Sequence, residues 1–168
     1  MDLEYSIYLA RAQNELNLSM IVQKISDDKK MQIEIFNMKE DTYYSATISH
    51  AYYCMFYAAK AYLLLKGIKT QAPEEHRKTF DEFSRFVNEG TVDVELLTMY
   101  QSLLVKADTL LHIFSWEKNK RGTFTYKRIP QANQEPAQES VKNAQFFFKH
   151  IFRLCGEIII NKDTETID

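Results

Sequence analysis

The amino-acid sequence predicts an all-α fold, an antiparallel bundle of about five helices around a buried central helix. The 168 residues include only four glycines and three prolines, which leave few turns and favour long elements over many short strands. Hydrophobic residues make up 45% of the chain and aromatic residues 13%, as expected of a globular protein. This length fits one domain, residues 1–168, with its own core.

The central helix is predicted from Tyr43 to Gly67, because this segment is apolar and aromatic around nearly its whole circumference. A surface helix shows a single apolar stripe, so a helix of this composition has to be surrounded by others. Asp41 or Thr42 is a suitable N-cap, and Gly67 is a natural stop because glycine accepts the left-handed cap conformation. One face consists of Tyr44, Ile48, Ala51, Met55, Ala58, Tyr62 and Leu65, with Tyr53, Phe56, Tyr57 and Leu64 on its sides.

A first helix is predicted from Leu3 to about Ile25, where apolar residues recur with roughly a helical period. Residues 26–30 are polar and interrupt this pattern. Residues 31–36 then alternate between apolar and polar, which leaves a short strand or a local excursion as alternatives. The predicted inner face of the first helix is Ile7, Ala10, Leu16, Met20, Val22 and Ile25.

Three more helices are predicted after the central one. The first has Thr70 as its N-cap and ends at Gly90, the second runs from Val92 to about Lys118, and the third from about Pro136 to Ile160. Short connections between neighbouring helices favour antiparallel packing. The inner faces are Phe80, Phe83 and Val87 in the first, Leu96, Tyr100, Leu103, Ala107, Leu110 and Phe114 in the second, and Val141, Ala144, Phe148, Ile151, Leu154 and Ile158 in the third.

The sequence indicates neither a metal site nor a cofactor. The four histidines are dispersed, and no two of them have metal-ligand spacing on one helix. A glycine-rich phosphate loop and a serine nucleophile motif are both absent. Cys54 and Cys155 lie within apolar helical patterns, so buried reduced thiols are expected; a disulfide or redox pair is the alternative.

The chain is expected to be cytoplasmic, with no membrane partner. Its N-terminal residues lack the basic start and apolar run of a secretory signal. An uncharged stretch of about 18 residues, as a membrane span requires, is also missing.

A local basic segment is the candidate functional feature. The net charge of −2 gives no general attraction to nucleic acid, so any such function needs a local patch. Residues 118–128 read KNKRGTFTYKR, and positive charges that hold a backbone beside rings that stack on bases suit single-stranded RNA. The alternative is a solvated basic loop whose aromatic side chains anchor it to the core. The basic residues are Lys118, Lys120, Arg121, Lys127 and Arg128; the aromatic ones are Phe124 and Tyr126, with Trp116 shortly before the segment.

The run AYYCMFYAAKAYLLLKG at residues 51–67 resembles the helical signature of HEPN domains. Residues 69–90, KTQAPEEHRKTFDEFSRFVNEG, resemble the KTH segment of that family with its phenylalanine, valine and glycine markers. The resemblance covers about Asp41 to Leu154, with residues 26–40 as an insertion. It implies an antiparallel helical bundle that forms homodimers. Many members of the family are ribonuclease toxins encoded beside a minimal nucleotidyltransferase antitoxin.

The resemblance also implies a site. The motif of the family is an arginine followed after four to six residues by a histidine, and Arg121 fits the arginine. Tyr126 stands where the histidine is expected, although one branch of the family ends its motif in Asp-Tyr, and Thr125–Tyr126 is nearer to that branch. A tyrosine with a pKa near 10 is deprotonated in only about one molecule in a thousand at pH 7, so it is a poor base. The guanidinium of Arg121 still suits a phosphate.

Three functional interpretations follow from these residues. The first is a toxin-like protein that binds RNA or a nucleotide, with weak or absent RNase activity at an Arg-x4-Tyr site formed by Arg121 and Tyr126. The second is a non-catalytic helical module for dimerisation or protein interaction. In the third, a histidine from elsewhere, such as His50 or His112, replaces the missing base.

Overall fold

The fold is all-α, as predicted. The computed structural model describes the backbone of residues 3–119 and 134–165 and the side chains of residues 3–108 and 134–161, and these ranges contain six helices and no strand. The helices are α1 (Glu4–Asp27), α2 (Lys29–Glu34), α3 (Tyr44–Leu65), α4 (Glu75–Asn88), α5 (Val94–Asn119) and α6 (Gln134–Glu165).

Helix α3 is the centre of the core. Fifteen of its 22 residues are buried, among them Ala51, Met55 and Ala58, which are completely inaccessible. Its neighbours are α1, α4, α5 and α6. The prediction that the apolar segment after Tyr43 is surrounded by other helices is therefore confirmed.

The predicted inner face of α1 is partly wrong. Ile7 and Met20 are 55% and 43% exposed, whereas Ala12, Ser19 and Ser26 are buried together with the correctly predicted Leu16. The small side chains of α1 lie inward because α1 packs closely along the small-residue surface of α3. Ile7 and Met20, which recur with a helical period, therefore lie outside.

Residues 31–36 do not form a strand. Most of them belong to α2 (Lys29–Glu34), whose N-cap is Asp28, with its carboxylate accepting a hydrogen bond from a first-turn amide. Gln32 is buried, donates to the carbonyl oxygens of Ile25 and Asp41, and accepts from the amide of Asp41. These three bonds explain why so short a helix is held in place.

Two of the predicted helix caps are wrong. The N-cap of α3 is Tyr43 and makes no side-chain cap bond, while its amide donates to the hydroxyl of Ser26 over 2.8 Å. Thr70 does not begin α4; its hydroxyl is hydrogen-bonded to that of Thr79 inside the core. The N-cap of α4 is Glu74, which has a left-handed backbone with φ of 59°.

The predicted glycine stops are confirmed. Gly67 and Gly90 follow α3 and α4 with φ of 79° and 76°, a conformation that costs glycine little.

Cys54 and Cys155 are free thiols, as predicted. Burial raises the pKa of both, to about 12 for Cys155.

The inner faces of α4, α5 and α6 are largely as predicted. In α5, Leu110 and Phe114 lie outside the described side chains. No helix among residues 3–119 and 134–165 combines the length and the apolar character that a membrane span requires. The predicted residues that are buried are Phe83 and Val87 in α4, Leu96, Tyr100, Leu103 and Ala107 in α5, and Val141, Ala144 and Ile151 in α6.

Candidate functional site

The basic segment predicted as the site lies outside the described side chains. The described backbone of α5 ends at Asn119 and that of α6 begins at Gln134, so the segment joins these two helices. Lys118 belongs to the last turn of α5, and its side chain is not described. The predicted site residues that lie outside the described chain altogether are Lys120, Arg121, Tyr126, Lys127 and Arg128.

Within the described residues, aromatic and titratable side chains concentrate where α1, α3 and the start of α4 meet. We call six of these rings the aromatic strip. The two rings that point inward are buried, and the other four are half-buried at the surface. The buried rings are Tyr52 and Phe56, and the half-buried rings are Tyr8, Tyr53, Tyr57 and His76.

The rings of the strip contact one another in a continuous row. Tyr8 stacks on Tyr57 with centroids 6.0 Å apart, and Tyr57 stacks on Tyr53 at 6.2 Å. The imidazole of His76 lies edge-on to Tyr53 at 5.8 Å and stacks on Phe56 at 4.0 Å, with only 18° between the planes. Each separation is within or just below the range in which aromatic pairs attract each other.

A buried lysine fixes the helices that carry the strip. The side chain of Lys60 is only 5% exposed and forms an ion pair with Glu75. Its ammonium also donates to the hydroxyl of Tyr8 over 3.2 Å and to the carbonyl of Thr70 over 3.3 Å. Three acceptors thus satisfy the three N–H bonds of the ammonium, and they join α3 to α1, to the first residue of α4 and to the residues before it. Lys60 is therefore a structural residue, whose charge is compensated where it is buried.

His76 is held in its neutral form by its surroundings. Burial is the main cause that lowers its pKa below the usual 6.5, and the charge of Lys60 acts in the same direction, while that of Glu75 opposes it. The Nδ1 atom is hydrogen-bonded to the hydroxyl of Tyr52 over 2.8 Å. Burial likewise raises the pKa of Tyr52, with smaller contributions from Tyr53 and Asp108. At neutral pH the pair is thus an uncharged imidazole on an uncharged phenol.

Charged residues of α1 flank the strip. The guanidinium of Arg11 lies 5.7 Å from the ring centre of Tyr57 and 6.0 Å from that of Tyr8, as in a cation–π contact. His50 is paired with Glu15, with Nδ1 2.7 Å from a carboxylate oxygen. His50, one of the two histidines suggested above as substitute bases, therefore has a carboxylate partner within the chain.

Sequence reasoning placed Tyr53, Phe56 and Tyr57 on the sides of the central helix and did not identify the strip. A signal was present, because Tyr8, Arg11 and Glu15 follow one another at helical spacing on α1, as do His50, Tyr53 and Tyr57 on α3. Two polar-aromatic stripes of this kind indicate helices that meet at a surface. Among the described residues, no three His, Cys, Asp or Glu side chains are grouped so that they could hold a metal ion.

Comparison with known families gives one match. Residues 33–154 fit the sequence model of the HEPN domain, a range that begins in α2 and ends in α6. None of the curated proteins matches the chain.

Proposed function

Because the chain belongs to the HEPN domain family, we propose that it is a toxin-like member that binds RNA or a nucleotide, with weak or absent RNase activity. The observation that carries this proposal is the segment KNKRGTFTYKR at residues 118–128, between α5 and α6. Its five basic residues supply phosphate contacts, and its two rings supply stacking surfaces.

The proposed site is Arg-x4-Tyr. Arg121 binds a phosphate through two parallel N–H bonds of its guanidinium. Metal-free RNA cleavage requires one group that removes the 2′-hydroxyl proton and another that protonates the leaving oxygen. Tyr126 supplies an acid or a hydrogen bond but is a poor base near neutral pH. Binding without efficient cleavage follows from this pair.

We further propose a cytoplasmic homodimer that pairs with a nucleotidyltransferase antitoxin. The aromatic residues Tyr52, Phe56 and Phe147 are buried within the chain and offer no surface for a dimer. Support comes instead from large apolar side chains on the surface, such as Phe152 and Ile160, which are 57% and 64% exposed. A stable interface covers roughly 1,000 Å² or more.

A non-catalytic interaction module is the second candidate. The observation that favours it is an apolar groove of about 420 Å³ between α1 and α6. A groove of this composition suits an apolar side chain of a partner protein. Its main lining residues are Tyr5, Leu9, Phe148, Phe152, Cys155 and Ile159.

Binding of a short single-stranded RNA, followed by fluorescence anisotropy, tests the first proposal. Arg121→Ala should weaken binding, and added salt should weaken it as well, because bound phosphates release counterions. Arg153→Ala is the matched control, since Arg153 is an exposed arginine of α6 that pairs only loosely with Glu157, at 3.6 Å. RNA binding that is indifferent to Arg121→Ala and to salt would leave the interaction module as the better candidate.

A second experiment concerns cleavage. Tyr126→His should raise metal-free RNA cleavage if the rest of the site is intact, because an imidazole with a pKa near 6.5 is an effective base. The products would be followed on a denaturing gel. Vigorous cleavage by the wild type that disappears in Tyr126→Phe would contradict the proposed weak activity and make the tyrosine catalytic.

A further inference from the structure

We propose that the aromatic strip is a second binding surface, which stacks nucleobases of single-stranded RNA on Tyr53 and Tyr57. The proposed function supplies the class of ligand, but the site is separate from the basic segment. Four rings of the strip reach the surface in a row, and a row of ring faces is the feature on which unpaired bases stack.

The outer rings are packed against the core only in part. Tyr52 and Phe56, buried at 4% and 3% exposure, already fill the interior beneath the strip. Tyr8, Tyr53 and Tyr57 lie above them with part of each ring exposed to solvent. A ring that is partly packed against the core is rigid, so binding loses little side-chain entropy.

Arg11 gives the strip a cation. Its guanidinium is exposed and lies beside both Tyr8 and Tyr57. Burial raises the pKa of the Tyr57 phenol, and the positive charge of Arg11 lowers it. A planar guanidinium that rests on rings still has N–H donors at its edge, and these suit a phosphate oxygen.

The carboxylates of Glu15 and Glu75 have partners within the chain. Glu75 is compensated by Lys60, and Glu15 is 2.7 Å from the imidazole of His50. Among the charged groups that act on the phenol of Tyr57, Arg11 has the largest effect, and Glu15 and Glu75 oppose it.

His76 supplies a polar contact at one end of the row. Its Nδ1 atom is held by Tyr52, which directs the opposite nitrogen, Nε2, away from that hydroxyl. A neutral imidazole that is fixed in this way presents a single hydrogen-bonding group of defined direction. Such a group suits the polar edge of a base stacked on Tyr53.

The strip adjoins the helix that leads into the basic segment. Asp108 of α5 lies near enough to Tyr52 for its charge to raise the pKa of the phenol. From Asp108, α5 continues to Asn119, after which the basic segment follows.

The test compares two probes in anisotropy titrations, a short oligoadenylate RNA and an abasic ribose-phosphate oligomer of equal length. Tyr57→Leu removes the ring but keeps an apolar side chain, and it should weaken oligoadenylate binding by about 5- to 150-fold, the range for one stacked base. Binding of the abasic oligomer should not change. Tyr57→Phe retains the ring and should bind both probes as the wild type does.

Controls separate this inference from the proposed function. Arg121→Ala should weaken both probes, and Tyr43→Leu, a half-buried tyrosine at the far end of α3, should weaken neither. If Arg121→Ala has no effect and Tyr57→Leu is selective, the proposed site fails and the strip stands. If Tyr57→Leu leaves oligoadenylate binding unchanged, or weakens both probes equally, or if the wild type does not bind oligoadenylate, the inference is overturned.

Discussion

Removal of the carboxylate of Glu75 should destabilise the protein more than removal of both members of its ion pair. Glu75→Leu leaves the ammonium of Lys60 buried with only the hydroxyl of Tyr8 and the carbonyl of Thr70 as partners. In the double variant Lys60→Met, Glu75→Leu, no charge remains at this position. The two variants therefore separate the cost of an unpaired buried charge from the loss of the pair itself.

The structure sets the expected size of the effect. Breaking a buried ion pair by removing one partner costs about 3–5 kcal/mol. Lys60 is 5% exposed but Glu75 is 33% exposed, so water compensates part of the loss. We expect a decrease of about 2–3 kcal/mol in the free energy of unfolding for Glu75→Leu, and a change of within about 1 kcal/mol for the double variant.

Urea denaturation followed by circular dichroism measures these differences, provided that the slope with denaturant is the same for all variants. For a chain of this length the single variant should unfold about 4–12 °C below the wild type. Lys69→Ala is the control, because its pair with Glu4 is half exposed and should contribute less than about 1 kcal/mol. A single variant as stable as the wild type, or a double variant less stable than the single one, would refute the assignment of Lys60 as a compensated buried charge.

Three further predictions concern pH, packing and association. The pKa of His76 in the folded protein lies below 6.5, so the neutral imidazole stabilises the fold and the free energy of unfolding falls as the pH drops below that value. His76→Gln should flatten this pH dependence in urea titrations between about pH 7 and pH 5. Met55→Ala should cost about 2–5 kcal/mol, because Met55 is completely buried beside small residues, and a variant as stable as the wild type would contradict its place in the core. Light scattering should give a dimer of the 19.8 kDa chain, and a monomer mass at micromolar concentration would count against it.

The central helix could be predicted from sequence because it is apolar on nearly every face, so its burial did not depend on which face was taken as the inner one. For α1 that choice mattered, and periodicity selected Ile7 and Met20 rather than Ala12. A hydropathy pattern selects large apolar residues as the buried face, but close packing of α1 against α3 requires small side chains. The secondary structure of residues 31–36 was ambiguous for a different reason. Helix α2 is held in place by hydrogen bonds between Gln32 and Asp41, and these two residues come together only in the folded chain.

The two candidate sites also differ in how far they could be predicted from sequence. The basic segment is contiguous in sequence, so composition and the family resemblance were enough to propose Arg121. The aromatic strip is assembled from three helices, and Lys60 meets Tyr8 across 52 positions of sequence. A local sequence pattern cannot predict such a long-range contact, although the polar-aromatic stripes on α1 and α3 indicate which helix faces could form a site.

The two surfaces also differ in their relation to the family. Residues 33–154 match the HEPN domain, and they include the rings of α3 and α4 as well as Arg121. Tyr8 and Arg11 belong to α1, before that range. The cation of the strip therefore lies outside the range that the family model matches. Arg11→Ala should weaken RNA binding and lower its salt dependence by about one phosphate contact, independently of Arg121→Ala. Strictly additive effects of the two substitutions would mean two independent contacts with RNA, whereas an Arg11→Ala variant with unchanged salt dependence would limit the role of Arg11 to packing against Tyr57.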